Sequence, residues 1–282
     1  MDRHSIIFVT DLRQQFIGEY LPGKTAAFYL DEMENPEKYI SQAEWVILPT
    51  PVAKIDKNKT VDKLLKDNLT KNQYVFGGKF SERWKDFFKE KEIPYSDFME
   101  DETVTCENAA ITAEATVAEV IRSSRYSICG QKIIVTGFGR CAKEIAGKLS
   151  ALGAKVTILA RRAEARREAR ALGYEAADFS YGPEEAYGTR VYVNTVPAPV
   201  LTKSIIREMH ADSVIIDIAS KPGGCDRREA EKYGILVVEA LGLPGIYTPK
   251  SSAKILADAI CRDAPPQPTR GKDTPWIYQI II

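Results

Sequence analysis

The feature that most constrains the fold is one continuous stretch at residues 132–162, KIIVTGFGRCAKEIAGKLSALGAKVTILARR. An apolar, β-branched run leads into a glycine-rich turn, and apolar residues at helical spacing follow it. Gly153 ends the helical pattern, and AKVTIL begins a second apolar run. A strand, a turn, a helix and a strand within about 30 residues predict a βαβ unit, and such a unit belongs to a parallel sheet.

The turn itself has the pattern G-x-G-x-x-A. Gly137 permits a tight turn, Gly139 lets a pyrophosphate approach the backbone, and Ala142 lets the helix pack closely on the strand. The free N–H groups of the helix start complete a site typical of dinucleotide binding. The alternative is a purely structural turn between a strand and a helix. The residues that we predict to contact the dinucleotide here are Gly137, Phe138, Gly139, Arg140, Cys141 and Ala142.

The end of the second strand indicates which dinucleotide is bound. NAD sites usually place Asp or Glu there, to accept hydrogen bonds from the ribose hydroxyls. This strand ends in Arg161 and Arg162, and no carboxylate appears before Glu164. Two guanidinium groups suit a 2′-phosphate, which they can bind by charge and by paired hydrogen bonds. The sequence therefore favours NADP, bound by Arg161 and Arg162. The alternative is that both arginines only begin a solvated helix.

Two further strands are predicted at 191–194 and 214–218, and the loops that follow them should lie on the same edge of the sheet as the glycine turn. That edge is where the nicotinamide ribose sits in such folds. The loop residues that we predict to form this wall of the cofactor site are Thr195, Val196, Pro197 and Ala219.

Apolar runs and helical patterns alternate along the rest of the chain, which predicts an α/β fold with mainly parallel sheets. We expect two domains: a C-terminal Rossmann domain with a doubly wound parallel sheet, and a smaller, flavodoxin-like N-terminal α/β domain. A long helical pattern at 106–124 is expected to link them. We assign 1–118 to the substrate-side domain, onto which a helix at 252–262 packs back, 119–250 to the NADP-binding domain, and 263–282 to an extended tail.

The composition argues against several classes of function. The 39 basic and 39 acidic side chains cancel, so neither nucleic acid nor an anionic membrane is an expected partner. No apolar run is long enough to span a bilayer. The five cysteines include no C-x-x-C pair and the chain has two histidines, so we expect no disulfide framework and no metal site. The cytoplasm is the expected location.

The apolar end of the tail, WIYQIII, has two interpretations. It is either a strand on the chain's own surface or an interface with another subunit. The second interpretation predicts a homo-oligomer.

Five stretches resemble the family formed by the A subunit of dipicolinate synthase, from spore-forming bacteria, most clearly ADSVIIDIASKPGG followed by LGLPG. The resemblance is strong over about 107–256 and weaker over 1–106. The matching stretches are ENAAITAEATV (107–117), GQKIIVTGFGRCAKEIAGKLSALGAKVTILARR (130–162), NTVPAPVL (194–201), DIASKPGGCD (217–226) and ALGLPGIYTPKSSAKIL (240–256).

The resemblance implies an NADP-dependent oxidoreductase that acts in sporulation, in the mother cell. Its product would be dipicolinate, pyridine-2,6-dicarboxylate, formed from dihydrodipicolinate or from its hydroxytetrahydro precursor. The resemblance also implies a partner, a second, flavoprotein-like B subunit. Aromatising the ring removes a hydride and a proton, so the protein has to position the ring and neutralise two carboxylates.

Several residues then become candidates for contact with a dicarboxylate substrate. Glu114 is the candidate proton acceptor, and Lys221 is the second candidate catalytic residue, able to pair with a substrate carboxylate; a solvated carboxylate and a surface charge are the alternatives. Asp226 is expected to cap a helix, with a substrate contact as the second possibility. The candidate substrate-binding residues are Thr50, Asn108, Thr112, Asp226 and Lys250.

Two other functions remain open at this point. The chain can be a different two-domain NADP dehydrogenase, of the shikimate or methylenetetrahydrofolate dehydrogenase type. It can also be a non-catalytic subunit that binds NADP and serves as a scaffold for a partner, because the sequence offers no convincing acid–base pair.

Overall fold

The computed structural model describes residues 4–29, 36–180 and 187–264. The chain divides into two compact units: the first runs to Asn108 and resumes at Thr248, and the second runs from Ala109 to Tyr247. From residue 265 onward, the predicted extended tail lies outside the described residues.

The first unit contains a parallel five-stranded sheet with the strand order β2-β1-β3-β4-β5, which is the flavodoxin-like order. Its strands are β1 (His4–Val9), β2 (Lys24–Tyr29), β3 (Trp45–Ile47), β4 (Tyr74–Gly77) and β5 (Tyr95–Asp97). Its first helices are α1 (Leu12–Ile17), α2 (Pro36–Gln42), α3 (Ala53–Asp56), α4 (Lys59–Asn68) and α5 (Glu82–Glu90).

The second unit contains a parallel six-stranded sheet with the order β11-β10-β9-β6-β7-β8, the Rossmann order. Its strands are β6 (Lys132–Thr136), β7 (Lys155–Leu159), β8 (Glu175–Ala177), β9 (Val191–Asn194), β10 (Val214–Asp217) and β11 (Leu236–Glu239). Its helices are α7 (Arg140–Ala151), α8 (Ala163–Ala171), α9 (Lys203–Glu208), α10 (Arg227–Lys232) and α11 (Leu243–Tyr247). These two sheets confirm the predicted fold class.

A helix of 22 residues, α6 (Glu102–Ser123), carries the chain from the first unit into the second. The sequence pattern predicted this helix from residue 106, but it begins earlier. Asp101 explains the difference, because its Oδ1 accepts a hydrogen bond from the N–H of Val104 at 3.2 Å and so caps the first turn. A final helix, α12 (Pro249–Asp263), begins with a proline in its first turn.

The apolar face of α12 packs within the first unit. Ala253, Leu256 and Ile260 are buried in one cluster with Ile17 of α1 and Ile7 of β1. Among the residues that the structure describes, no helix has both the length and the apolarity needed to cross a bilayer.

The sequence pattern did not predict β5. This edge strand has three residues, two of which are only half-buried, so apolar periodicity is too short to be recognised. Asp97 at its end accepts hydrogen bonds from the backbone N–H groups of Lys79, Phe80 and Met99 at 2.8–2.9 Å. The strand therefore holds the loop after β4 in place.

Candidate dinucleotide site

The glycine turn after β6 has the geometry that phosphate binding requires. Gly137 lies at φ +82°, where a side chain would be strained, and its N–H donates to the carbonyl of Leu159 at 2.8 Å. Gly139 is the N-cap of α7, and no side chain caps that helix. A methyl group on Gly139 would meet no atom within 4 Å. The start of α7 thus has no side-chain cap and leaves free space beside Gly139, which fits the close approach of a pyrophosphate.

Two side chains of the turn are directed into the protein interior. Phe138 is buried, with its ring 6.2 Å from that of Tyr174, and Ala142 is fully buried against the core. Cys141 is half-buried, and burial raises the pKa of its thiol. These residues can contact a dinucleotide only through their backbone or through the close packing that they allow. Arg140, by contrast, is exposed at the first position of α7.

The loop after β9 lies directly against the glycine turn. A methyl group on Gly137 would be 2.8 Å from Oγ1 of Thr195 and 3.0 Å from Cγ2 of Val196. Thr195 also donates from Oγ1 to the carbonyl of Thr136 at 2.7 Å. The structure thus brings Gly137, Thr195 and Val196 together, with Pro197 exposed next to them.

A row of buried polar side chains lies beneath these loops. Thr136, Asn194 and Asp217 end three adjacent strands in matching register, and each is at most 2% exposed. Thr136 donates from Oγ1 to Oδ1 of Asn194 at 2.5 Å, and Asn194 donates from Nδ2 to Oδ1 of Asp217 at 2.7 Å. This row links the carboxyl ends of β6, β9 and β10.

Asp217 also holds the next loop through backbone hydrogen bonds. Its Oδ1 accepts from the N–H of Ala219 at 3.1 Å, and its Oδ2 accepts from the N–H of Gly224 at 2.9 Å. Gly224 has no room for a side chain, because a methyl group there would overlap the Asn194 amide. The predicted cofactor residue Ala219 is therefore fixed relative to the loop after β9.

The sequence interpretation missed these positioning residues. The only sequence signal was that three apolar runs, KIIVT, VYVN and VIID, each end in a polar residue. That signal becomes specific only when the register aligns the three ends in space.

A cavity of about 240 Å³ opens beside this loop, and Lys221 lines it. Asp217 and Ala219 form part of its wall, as does an ion pair between Arg227 and Glu239. Lys221 is exposed, and within the described part of the chain it makes no ion pair. Its ammonium group is thus available to an anionic ligand at this edge of the sheet.

Cys225, in the same segment, is unsuited to thiolate chemistry. Burial, together with the negative charge of Asp217, raises the pKa of its thiol to about 11. It packs instead against the apolar cluster around Leu201.

Arg161 and Arg162 both lie exposed at the carboxyl end of β7. Arg166 donates to the carbonyls of Ala160 and Arg161 at 2.7 Å, which fixes the backbone that carries them. In the described ranges, neither Arg161 nor Arg162 takes part in an ion pair. The arrangement leaves two guanidinium groups available where a ribose phosphate would lie.

The structure does not bring Glu114 to the glycine turn. Its carboxylate is 57% exposed and lies 3.6 Å from Nζ of Lys148, near the far end of α7. Lys148 is eight residues beyond Arg140, which corresponds to about 12 Å along the helix. Thr112 is buried in α6, where its carbonyl accepts from Oγ1 of Thr116.

The Asp226 side chain makes a structural contact at the start of a helix. Its Oδ1 accepts from the N–H of Glu229 at 3.0 Å and caps α10, as the sequence pattern suggested. Lys203 lies 3.9 Å from its other oxygen.

The remaining candidates belong to the first unit. Thr50 accepts a hydrogen bond from Arg13 at its carbonyl at 2.9 Å, while its Oγ1 is buried without a hydrogen-bond partner in the described chain. Lys250 pairs with Glu19 at 3.2 Å and lies over the ring of Phe16. Asn108 is half-buried on α6.

Comparison with known proteins agrees with this architecture. Residues 106–262 match the family model described as "Alanine dehydrogenase/PNT, C-terminal domain". Over 155 residues the chain is 34% identical to the A subunit of dipicolinate synthase from Bacillus subtilis (strain 168). That alignment covers 55% of this chain and 52% of the relative, so it spans about half the length of the curated protein.

Solved structures resemble the chain over almost its whole length. The A subunit of dipicolinate synthase from Bacillus halodurans superposes with a TM-score of 0.76 at 27% identity, covering 94% of this chain and 98% of that one. A transhydrogenase from Sinorhizobium meliloti has the same fold, with a TM-score of 0.66 at 13% identity over 92% of this chain and 91% of that one.

The second unit is therefore a Rossmann-type NAD(P)-binding domain, joined to a parallel α/β unit of similar length whose sheet has five strands. The chain belongs to the alanine dehydrogenase/PNT C-terminal domain family, and it is similar to the A subunit of dipicolinate synthase.

The two glycines of the turn allow a matched test of the NAD(P) site. Gly137→Ala should lower the melting temperature of the free protein, because φ +82° and the contacts with Thr195 and Val196 oppose a methyl group. Gly139→Ala should change that temperature much less, since its methyl group meets no atom and only the N-cap preference opposes it. The same methyl group would occupy the approach of the pyrophosphate and should weaken NADPH binding about 10-fold or more. Thermal unfolding and equilibrium NADPH titration measure the two effects. Unchanged NADPH affinity in Gly139→Ala would contradict the assignment of the glycine turn as a pyrophosphate site.

Proposed function

We propose that this chain is an NADP-dependent oxidoreductase subunit that forms dipicolinate from dihydrodipicolinate or from its hydroxytetrahydro precursor. The observation that supports the proposal is that several candidate binding groups lie along one edge of the second sheet. The glycine turn, the loop after β9, Ala219 and Lys221 all lie along it. The similarity to proteins named for dipicolinate synthase supplies the substrate class.

Dihydrodipicolinate loses one hydride and one proton when its ring becomes aromatic, and these two losses balance the reaction. The hydroxytetrahydro precursor loses a water molecule as well. Bound NADP supplies the hydride acceptor for this oxidation. A side chain or water takes the proton, and aromaticity makes the oxidation favourable.

Residues of this chain bind the cofactor and orient the substrate. The N–H groups at the start of α7 hold the pyrophosphate, and Arg161 with Arg162 holds the 2′-phosphate. Asp217 and Asn194 keep the two adjoining loops in fixed positions. Lys221 pairs with a substrate carboxylate beside the cavity that it lines.

The proton acceptor in this proposal differs from the sequence candidate. Glu114 was the sequence candidate, but its pairing with Lys148 gives it no place at the glycine turn. This placement favours water as the acceptor. It also keeps a second function open, in which the chain binds NADP without catalysing the oxidation and serves as a scaffold for a partner.

The chain would act in the cytoplasm of the mother cell during sporulation, as a homo-oligomer together with a flavoprotein-like B subunit. The names of the relatives support a partner, because each name designates one subunit of a synthase.

Product formation tests the function directly. The purified chain, with and without the B subunit, is mixed with NADP and freshly generated dihydrodipicolinate, and the ultraviolet absorbance of pyridine-2,6-dicarboxylate is followed. We expect product together with stoichiometric NADPH, and a lower rate with Lys221→Ala, mainly through a higher KM. NADPH binding without product under either condition would refute catalysis and favour the scaffold function.

A further inference from the structure

A carboxylate is buried inside the second unit, on the helix α6. Glu119 is 5% exposed, and buried glutamates are rare unless they are paired. Its Oε1 accepts from Oη of Tyr247 at 2.6 Å, and its Oε2 accepts from Nη2 and Nε of Arg122 at 2.7 and 3.1 Å. The carboxylate thus joins α6 to Tyr247, the last residue of α11.

The contact between Glu119 and Tyr247 is directional. A well-packed apolar pair would hold two helices together at least as firmly as a buried carboxylate does. A short hydrogen bond adds a fixed orientation, because its strength depends on the angle at the donor. The bond to Glu119 also raises the pKa of the Tyr247 hydroxyl, so that hydroxyl stays a donor at neutral pH.

The helix α11 depends on such contacts for its position. It has five residues, and an isolated helix of that length is not stable in water. Gly245 lowers its stability further. Leu243 at its start is buried in one cluster with Val120 of α6, whereas Ile246 near its end is 65% exposed and Tyr247 is half-buried. The hydrogen bond to Glu119 therefore holds the end of α11 that apolar burial covers only in part.

The position of α11 affects a wall of the cavity of about 240 Å³ beside the loop after β10. Leu241, in the loop between β11 and α11, lines that cavity together with Ala219. On one side of Leu241, the N–H of Ala240 donates to the carbonyl of Asp217 at 2.9 Å. On the other side, the chain enters α11 through Gly242, at φ +69°. Leu241 is thus held from β10 on one side and from α11 on the other.

We propose, on the basis of the NADP binding proposed above, that Glu119 is a positioning residue for the nicotinamide half of the cofactor. It acts through Tyr247: the hydrogen bond fixes α11, and α11 fixes Leu241 at the edge of the sheet where the nicotinamide ribose sits. The adenosine half lies at the end of β7, on the other side of β6 and β9. Loss of the hydrogen bond therefore weakens the contacts with nicotinamide and spares those with adenosine.

Titrations with NADPH and with adenosine 2′,5′-bisphosphate, which lacks the nicotinamide half, test this role. Tyr247→Phe removes the hydroxyl and keeps the ring. It should raise the dissociation constant for NADPH about 5- to 10-fold, because binding then has to order the cavity wall, and change that for the bisphosphate less than about two-fold. The fluorescence that bound nicotinamide emits should shift toward that of free NADPH.

Two further variants distinguish positioning from stability. Glu119→Gln keeps a hydrogen bond to Tyr247 in either orientation of its amide, but it loses the ion pair with Arg122. It should lower the melting temperature and leave the NADPH affinity within about two-fold. Tyr126→Phe is the matched control: this hydroxyl donates to Asp212 at 3.2 Å, before the start of β10, and its loss should leave the affinity for both ligands unchanged.

Equal losses of affinity for NADPH and for the bisphosphate in Tyr247→Phe, or no loss of either, would overturn the positioning role. So would an NADPH affinity that falls together with the melting temperature in Glu119→Gln. Any of these results in a chain that binds NADPH would refute only the role of Glu119. An unchanged protein that binds neither ligand would refute the NADP site and this role with it.

Discussion

Asp217→Ala should lower the melting temperature of the second unit by roughly 10 °C and abolish measurable NADPH binding. The carboxylate is 2% exposed and accepts from Nδ2 of Asn194 and from the N–H groups of Ala219 and Gly224. Alanine would leave three buried donors without an acceptor. At about 1–3 kcal/mol for each unsatisfied group, a loss of about 4 kcal/mol is expected, and it corresponds to roughly 10 °C for a unit of this size.

The effect on NADPH binding follows from the two loops that these donors hold in position. Asn194 fixes the loop that contacts the glycine turn, and Ala219 lies in the next loop along the edge. Without the carboxylate, both loops lose their common anchor. An ordered cofactor wall then has to form on binding, which lowers the affinity.

Asp217→Asn separates this role from simple loss of volume. An asparagine has almost the same shape, but it offers one acceptor atom in place of two and turns an NH₂ group toward a donor. We expect a loss of about 1–3 kcal/mol. Glu231→Gln, which neutralises an exposed carboxylate on α10, should change stability by less than about 0.5 kcal/mol. Thermal unfolding and NADPH titration of all three variants provide the measurements; an Asp217→Asn protein that matches the unchanged protein in both would show that the network has no positioning role.

The strands that are buried on both faces of a sheet could be predicted from the sequence. The strands β6, β9 and β10 are buried on both faces, so they appear as unbroken apolar runs between helical patterns. The edge strand β5 escaped prediction because only one of its three residues is buried. The start of α6 was misplaced because its cap, Asp101, is a single residue that periodicity does not register.

The site could be predicted only as far as its parts are local in sequence. The glycine turn, its strand and its helix lie within one stretch, and the pattern specifies all three. The buried row of Thr136, Asn194 and Asp217 depends on register between strands that are about 60 and 23 positions apart in the chain. Glu114 shows the same limit, since helical spacing gives the face of α6 that a residue occupies but not the partner it meets, which is Lys148.

Arg161→Asp should raise the dissociation constant for NADPH about 100-fold or more and change that for NADH by only a few fold. Arg161 is exposed, its backbone is held by Arg166, and it has no ion pair among the residues described. A guanidinium–phosphate contact is worth about 1.5–3 kcal/mol, and a carboxylate in its place would also repel the phosphate. NADH has no 2′-phosphate, and a carboxylate at this strand end can accept from its ribose hydroxyls.

The companion substitution has to be chosen differently, because Arg162 is the N-cap residue of α8. Aspartate there would stabilise the helix and obscure the result. Arg162→Gln removes the charge without adding a strong cap, and should weaken NADPH binding about 10-fold. Arg167→Gln serves as the control: this arginine is also exposed on α8, but it pairs with Glu164 at 3.2 Å and should leave both affinities unchanged.

The salt dependence of binding distinguishes a 2′-phosphate contact from a general loss of positive charge. If Arg161 pairs directly with the phosphate, NADPH affinity should fall with rising salt in the unchanged protein, while NADH affinity should fall less. In Arg161→Gln this difference between the two cofactors should largely disappear, because the exposed charge that salt screens is gone. Fluorescence titrations of both cofactors at two salt concentrations measure it. Equal losses of NADH and NADPH affinity in Arg161→Asp, or tighter binding of NADH than of NADPH by the unchanged protein, would show that the arginines at the end of β7 do not select NADP.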